Sequence, residues 1–121
     1  MVKDKMHARA RGPINSMTRQ PVEGRSREGG LRCGEMEVDC MLSHGMSYCL
    51  KEKLFECSDK FNVYICDSCG LISNYNQEKN IYFCNYCNNK CNFSKINLPY
   101  ASKLMWYEIM TMAMIPRFYI K

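Results

Sequence analysis

Residues 61–87 read FNVYICDSCGLISNYNQEKNIYFCNYC. Two Cys-x2-Cys pairs, Cys66/Cys69 and Cys84/Cys87, are separated by fourteen residues, and a strand-like apolar triplet leads into each. In FNVYI the alternation puts Phe61, Val63 and Ile65 on one face of a strand that runs straight into the first pair. A Cys-x2-Cys turn lets two thiolates point at one centre, and two such turns complete a tetrahedral set of four sulfurs. Gly70 follows the first pair, where the turn needs a residue of positive φ. The stretch therefore predicts a small zinc ribbon with Cys66, Cys69, Cys84 and Cys87 as ligands of one structural Zn2+. Four sulfurs with no His, Asp or open position argue against catalytic zinc. An iron–sulfur centre is the alternative, although the spacing is less like a ferredoxin run.

Downstream of the ribbon, Phe93 to Leu98 reads as a further short strand, and Pro99 opens a helix. In PYASKLMWYEIMTMAMIPRFYIK the residues Leu104, Met105, Trp106, Tyr107, Ile109, Met110, Met112 and Met114 leave almost no polar face. A helix apolar all round must be covered all round, and 121 residues supply too little chain to do so. The expectation is a missing partner surface, with Pro116 ending the helix and RFYIK continuing as an edge strand. Upstream, EMEVDCMLS carries acids in its first turn and meets a helix stop at Gly45. MSYCLKEKLFE then places Met46, Cys49, Leu50 and Leu54 at helical spacing, which predicts a short helical hairpin over residues 35–57.

Charge is unevenly placed. The chain carries a formal net charge of +5, and residues 1–32 account for it with eight Lys/Arg against three Asp/Glu, while the remainder is neutral. Six of the seven arginines lie in that first segment, and Gly24, Gly29, Gly30 and Gly34 surround Arg25, Arg27 and Arg32. Glycines let backbone approach a phosphate chain and arginines offer forked donors, so Arg25, Arg27 and Arg32 are candidate nucleic-acid contacts that position without reading sequence. A merely solvated basic loop is the competing account.

Several function classes fall away. MVKDKMHARARG has no apolar core of a signal peptide, and no apolar run is long enough to span a membrane. Nine cysteines, an odd number, fit a reducing compartment with free thiols and a metal better than a disulfide framework. Cys33, Cys40, Cys49 and Cys57 have no partner spacing and are expected to be small buried hydrophobes; Cys91 is a weak competitor for the metal. His7 and His44 are isolated, Asp4, Glu23 and Glu28 are scattered, and no GxxxxGK(S/T) loop exists. Nothing in the chain could carry two-metal phosphoryl transfer unaided.

MVKDKMHARARG, TRQPVEGRSREGGLRCGEMEVDCMLSHG, LKEKLFECSDKFNVYICDSCG and LPYASKLMWYEIMTMAMIPRFY together resemble the C-terminal end of the second-largest subunit of multisubunit, RNA polymerase II-like, DNA-directed RNA polymerases. The resemblance covers essentially the whole chain. It implies that residues 1–34 are the end of the hybrid-binding region, with Glu23–Arg32 as the switch loop that contacts the RNA–DNA hybrid through Arg25, Arg27 and Arg32. It implies a helical anchor segment at 35–57, a zinc-ribbon clamp module at 58–99, and at 100–121 a helix and strand packing on the largest subunit. The catalytic carboxylates and their Mg2+ would belong to another subunit, and the nucleus would be the location, or a cytoplasmic viral factory or virion if the source is a large DNA virus. Two departures stand out: Cys33 replaces the family's usual Phe, and the Asn-rich stretch between the cysteine pairs is divergent, as in an AT-rich or viral lineage. The family's upstream lobes have no counterpart, as expected of a fragment, a split-gene product or one exon.

The sequence thus predicts an α+β chain, a small zinc-ribbon-like module with a helical hairpin and a C-terminal helix, not an independent globular fold. Its expected partners are the largest polymerase subunit, the rest of the second-largest subunit and the RNA–DNA hybrid or template DNA, with no membrane. The alternatives are an independent zinc-ribbon transcription factor that binds nucleic acid alone, or a non-functional gene fragment.

Overall fold

The structure, a computed structural model, describes residues 1–88 and 91–120. Two compact units divide at Lys60. The architecture is α+β, with a four-stranded sheet in the second unit and helices in both.

In the first unit the chain reverses at residues 14–21. The Asn15 side-chain oxygen accepts from the Met17 N–H at 2.9 Å, and the Asn15 N–H donates to the Gln20 carbonyl at 2.8 Å. That side chain nucleates the turn by imitating a backbone acceptor, and Ile14 then bridges Pro21. A second bridge, Glu23 with Gly30, closes the Arg/Gly loop at its base.

Helix α1 spans Glu35–Ser43, with Glu35 and Glu37 at the positive end of its dipole. It ends as a Schellman motif: Gly45 at φ +68° donates to the Leu42 carbonyl and Met46 to that of Met41. Helix α2, Ser47–Lys51, is shorter than the apolar spacing implies. From Glu52 to Glu56 it widens into a π-helical turn, closed by the Cys57 N–H on the Glu52 carbonyl at 2.9 Å. No residue of these helices is buried.

In the second unit β1 (Lys60–Cys66), β2 (Ile72–Asn76), β3 (Ile81–Phe83) and β4 (Phe93–Pro99) lie in the order β3-β2-β1-β4. Strands β1 and β2 pair antiparallel with Tyr64 opposite Ser73, and β2 and β3 with Tyr75 opposite Tyr82. Directly opposed residues share a face, so Tyr64, Tyr75 and Tyr82 gather there, with centroids 4.5–5.0 Å apart. The alternate set is the core side: Val63 and Ile65 are buried, together with Leu98.

The Asn-rich stretch, divergent in sequence, has local structural work. Asn76 accepts from the N–H groups of Glu78 and Lys79, and Asn80 adopts φ +49°, which together make the β2–β3 turn.

Helix α3, Tyr100–Thr111, rests on β4 and β1 through its first turns. Phe61 meets Tyr100 edge-on, and the Lys103 ammonium lies 4.8–5.3 Å from the ring centroids of Phe61, Tyr100 and Tyr107. None of its residues is fully buried, and Met105, Met112, Met114 and Ile115 are exposed beside and beyond its end. The helix stops five residues before Pro116 because Ala113 turns left-handed at φ +62° and the chain doubles back. The edge strand expected over RFYIK is not formed at residues 117–120, and Lys121 lies outside the described residues. Phe118 instead packs edge-on against Trp106 and donates its N–H to the Gly70 carbonyl at 2.8 Å, pairing one residue rather than a ladder.

Candidate metal centre and nucleic-acid loop

Strand β1 delivers Cys66 at its end, and the chain turns at once. The Gly70 N–H returns to the Cys66 carbonyl at 2.8 Å, and the Cys66 N–H reaches the Leu71 carbonyl at 3.0 Å. Gly70 sits at φ +71°, where an L side chain is disfavoured. The second turn follows β3 with Cys84 and Cys87, and Asn88 at φ +48° fills the place Gly70 holds in the first. Asparagine tolerates that conformation better than most residues, a signal available in the sequence.

The four sulfurs of Cys66, Cys69, Cys84 and Cys87 all lie within 4.8 Å of one another. Cys69 and Cys84 Sγ are 3.6 Å apart, close to the separation of about 3.8 Å that a tetrahedron with 2.3 Å zinc–sulfur bonds requires. Cys66, Cys69 and Cys84 are buried and Cys87 is half-buried. Among the described residues this is the one group of three or more such side chains that could hold a metal ion.

Electrostatics make the same demand. Burial pushes the Cys66 thiol up, but hydrogen bonds from the Cys69 and Ser68 N–H groups and from the Cys91 and Cys69 thiols outweigh it and hold Cys66 at about 6. Burial, and the thiolate this creates, push Cys69 up to about 12 and Cys87 to about 11. The protein alone thus stabilises one negative charge here, and a full set of thiolates needs a cation to compensate them. Cys91 packs against the cluster, and its hydrogen bond to Cys66, followed by burial, raises its thiol to about 11. It lies outside the mutually close four.

A contact from far along the chain seals the first turn. Arg117 Nη1 donates to the Cys69 carbonyl at 2.8 Å, with its guanidinium 5.5 Å from the Tyr86 ring centroid. The spacing of forty-eight residues leaves no local trace of this pairing. The remaining cysteines differ from expectation: Cys33, Cys40 and Cys57 are exposed and Cys49 is half-buried, because the first unit has almost no core to receive them.

In the basic loop, Gly24 at φ +100° starts a 3-10 turn over Arg25–Arg27, and Glu28 closes it at φ +54°. The Gly29 N–H bonds the Gly24 carbonyl and the Gly30 N–H that of Val22, both at 2.9 Å. A Cβ on Gly29 would collide with the Val22 carbonyl oxygen, so the position admits only glycine. Arg25 and Arg27 share the turn, Arg32 lies beyond the bridge, and all three are exposed. Among the described residues their guanidiniums have no hydrogen bond or ion pair, and are free to take an anion. His7, isolated in sequence, meets the Gly29 carbonyl through Nε2 at 2.6 Å.

Comparison with known proteins covers the whole chain. The family RNA polymerase Rpb2, domain 7 matches residues 29–121, and RNA polymerase Rpb2, domain 6 matches residues 1–27. The chain is 55% identical, over all 121 residues, to DNA-directed RNA polymerase II subunit RPB2 of Schizosaccharomyces pombe. It is 52% identical over the same length to DNA-directed RNA polymerase II subunit 2 of Arabidopsis thaliana. Over 117 residues, 97% of the chain, it is 50% identical to DNA-directed RNA polymerase subunit Rpo2 of Saccharolobus shibatae. The chain spans about 10% of the length of each of these relatives.

Proposed function

Because the chain belongs to the family of second-largest subunits of DNA-directed RNA polymerase, we propose that it serves as the hybrid-gripping and clamp-forming segment of such a subunit in DNA-templated transcription. Arg25, Arg27 and Arg32 hold the RNA–DNA hybrid through its phosphates. Cys66, Cys69, Cys84 and Cys87 hold one structural Zn2+ that braces the clamp module. The exposed side of α3 and the residues after it dock on the largest subunit, which brings the catalytic carboxylates and their Mg2+. The upstream remainder of the second-largest subunit completes the assembly, and the nucleus is the location that goes with this reading.

The observation that carries the proposal is the loop: three exposed arginines whose side chains have no internal partners, Arg25 and Arg27 on a turn whose fold requires Gly24 and Gly29, and Arg32 just beyond it. Contacts of this kind orient nucleic acid and leave sequence unread. The segment acts on transcription by holding, since the donors it presents bind phosphate and no group among them moves a proton. Nor is any helix among the described residues long and apolar enough to cross a membrane.

The test is the salt dependence of hybrid retention in assembled polymerase containing this chain. Each phosphate contact contributes a slope of about 0.7–0.9, so replacing Arg25, Arg27 and Arg32 by Ala is expected to flatten log K against log salt by about 2–3. An unchanged slope would sink the reading. Copurification of the largest subunit with the tagged chain is the companion expectation; recovery of the chain alone would point to an independent zinc-ribbon factor or a relic. For the metal, Cys91→Ala is expected to leave one zinc per chain and Cys87→Ala to abolish stoichiometric binding, both read by metal analysis.

A further inference from the structure

We propose that Arg9 is a positioning residue for the Arg25–Arg32 loop, acting through its carbonyl backbone, and that Gly12 supplies the clearance it needs. The inference rests on the hybrid-gripping reading of that loop and adds the part that holds the grip in shape.

Arg9 Nη1 donates twice, to the Pro13 carbonyl at 2.9 Å and to the Glu28 carbonyl at 2.8 Å. Glu28 is the left-handed residue that closes the arginine turn, a conformation that persists only when its surroundings fix it. The next carbonyl, that of Gly29, is taken by His7. Two successive carbonyls at the exit of the turn are therefore anchored to a segment nineteen to twenty-two residues upstream. The side chains of Arg25 and Arg27 have no anchor of their own, and their backbone is held within the turn by the Arg27 N–H on the Gly24 carbonyl and the Glu28 N–H on the Arg25 carbonyl, so the anchored exit residues help to set where their Cα atoms stand. A charge-assisted hydrogen bond is about twice as strong as a neutral one, which suits a guanidinium to this post.

Gly12 lies against the same contact. A Cβ there would stand 3.0 Å from Arg9 Nη1 and 3.1 Å from both Arg9 Cζ and the Glu28 carbonyl oxygen. Its own φ lies outside the left-handed region, so an alanine meets no backbone strain. What glycine provides is room for the guanidinium to reach Glu28. Arg9 is thus distinguished from Arg25, Arg27 and Arg32 by what its guanidinium is bonded to, although all four read alike in sequence.

The experiment is a double-mutant cycle in the assembled polymerase, with hybrid retention and its salt slope as readouts. Arg9→Ala and Gly12→Ala are each placed in the native loop and in the Arg25→Ala, Arg27→Ala, Arg32→Ala background. In the native loop both are expected to shorten retention, Arg9→Ala by about tenfold and Gly12→Ala by less, and in the arginine-free background neither has a further effect. Gly12→Ala removes no charge, so a loss there reports geometry. An Arg9→Ala loss of equal size in both backgrounds would make Arg9 an independent phosphate contact and overturn the proposal. So would a silent Gly12→Ala. If the triple replacement leaves the salt slope unchanged, the hybrid-gripping reading itself fails, and the Arg9 inference falls with it.

Discussion

Stripping zinc from Cys66, Cys69, Cys84 and Cys87 is expected to unfold the second unit as a whole. The reason is the composition of its core: of the six buried hydrophobic residues among the described residues, three are Cys66, Cys69 and Cys84, and the others are Val63, Ile65 and Leu98. Three aliphatic side chains, at about 2–3 kcal/mol each for full burial, are a small core for a unit of this size. A structural zinc site supplies on the order of 10–16 kcal/mol of folding free energy, and the second unit loses that contribution with the metal. Metal loss also leaves sulfurs crowded at 3.6 Å with no cation between them. Trp106, the single tryptophan, reports the event, since it packs on Phe118 and Phe118 is bonded to Gly70 of the first turn. Addition of a strong chelator is expected to red-shift its emission and remove the strand signal from circular dichroism together. Retention of both signals in a zinc-free chain would show that the aromatic sheet stands without metal.

The cluster of Cys66, Cys69, Cys84 and Cys87 was legible because a Cys-x2-Cys turn is a local device: spacing, a leading strand and a following glycine all lie within a few residues. The same locality made the acidic first turn of α1 and its Gly45 stop readable. What escaped was of two kinds. Asn76, Asn80 and Asn88 were local too, but a sequence rich in asparagine hides which ones accept turn hydrogen bonds or adopt positive φ. The others were long-range. Arg117 meeting Cys69, and Arg9 meeting Glu28, are pairings of an arginine with a backbone carbonyl, and carbonyls carry no sequence identity. The C-terminal segment was misread for that reason: RFYIK has the alternation of a strand, but among the described residues 117–120 one backbone bond forms, from the Phe118 N–H to Gly70 in the first cysteine turn. The apolar excess of α3 was legible as composition, and the exposed Met105, Met112 and Met114 are its structural counterpart.

Gly70→Ala is expected to cost about 4 kcal/mol and to speed zinc loss, far more than a left-handed glycine usually concedes. Two contributions add. An alanine at φ +71° gives up about 1–2 kcal/mol in backbone strain. The larger part comes from the tail: the new Cβ would lie 2.8 Å from the Phe118 carbonyl oxygen, 3.1 Å from its nitrogen and 3.2 Å from Arg117 Cβ. Backbone on both sides leaves no flexible end to give way, so residues 117–118 must lift. That breaks the Phe118 N–H bond to the Gly70 carbonyl and the Arg117 bond to the Cys69 carbonyl, worth about 1 and about 1.5–3 kcal/mol. Gly45 provides the control, because it has nearly the same conformation at φ +68° but nothing within 4 Å of an added Cβ. Gly45→Ala should therefore show the strain alone. The two can be compared by amide hydrogen exchange in each substituted position's own surroundings, and by the rate at which a chromophoric chelator extracts zinc. Gly70→Ala is expected to accelerate extraction and Gly45→Ala to leave it unchanged. Equal exchange effects with no change in extraction would mean that the tail does not brace the metal turn, and that Arg117 and Phe118 merely lie beside it.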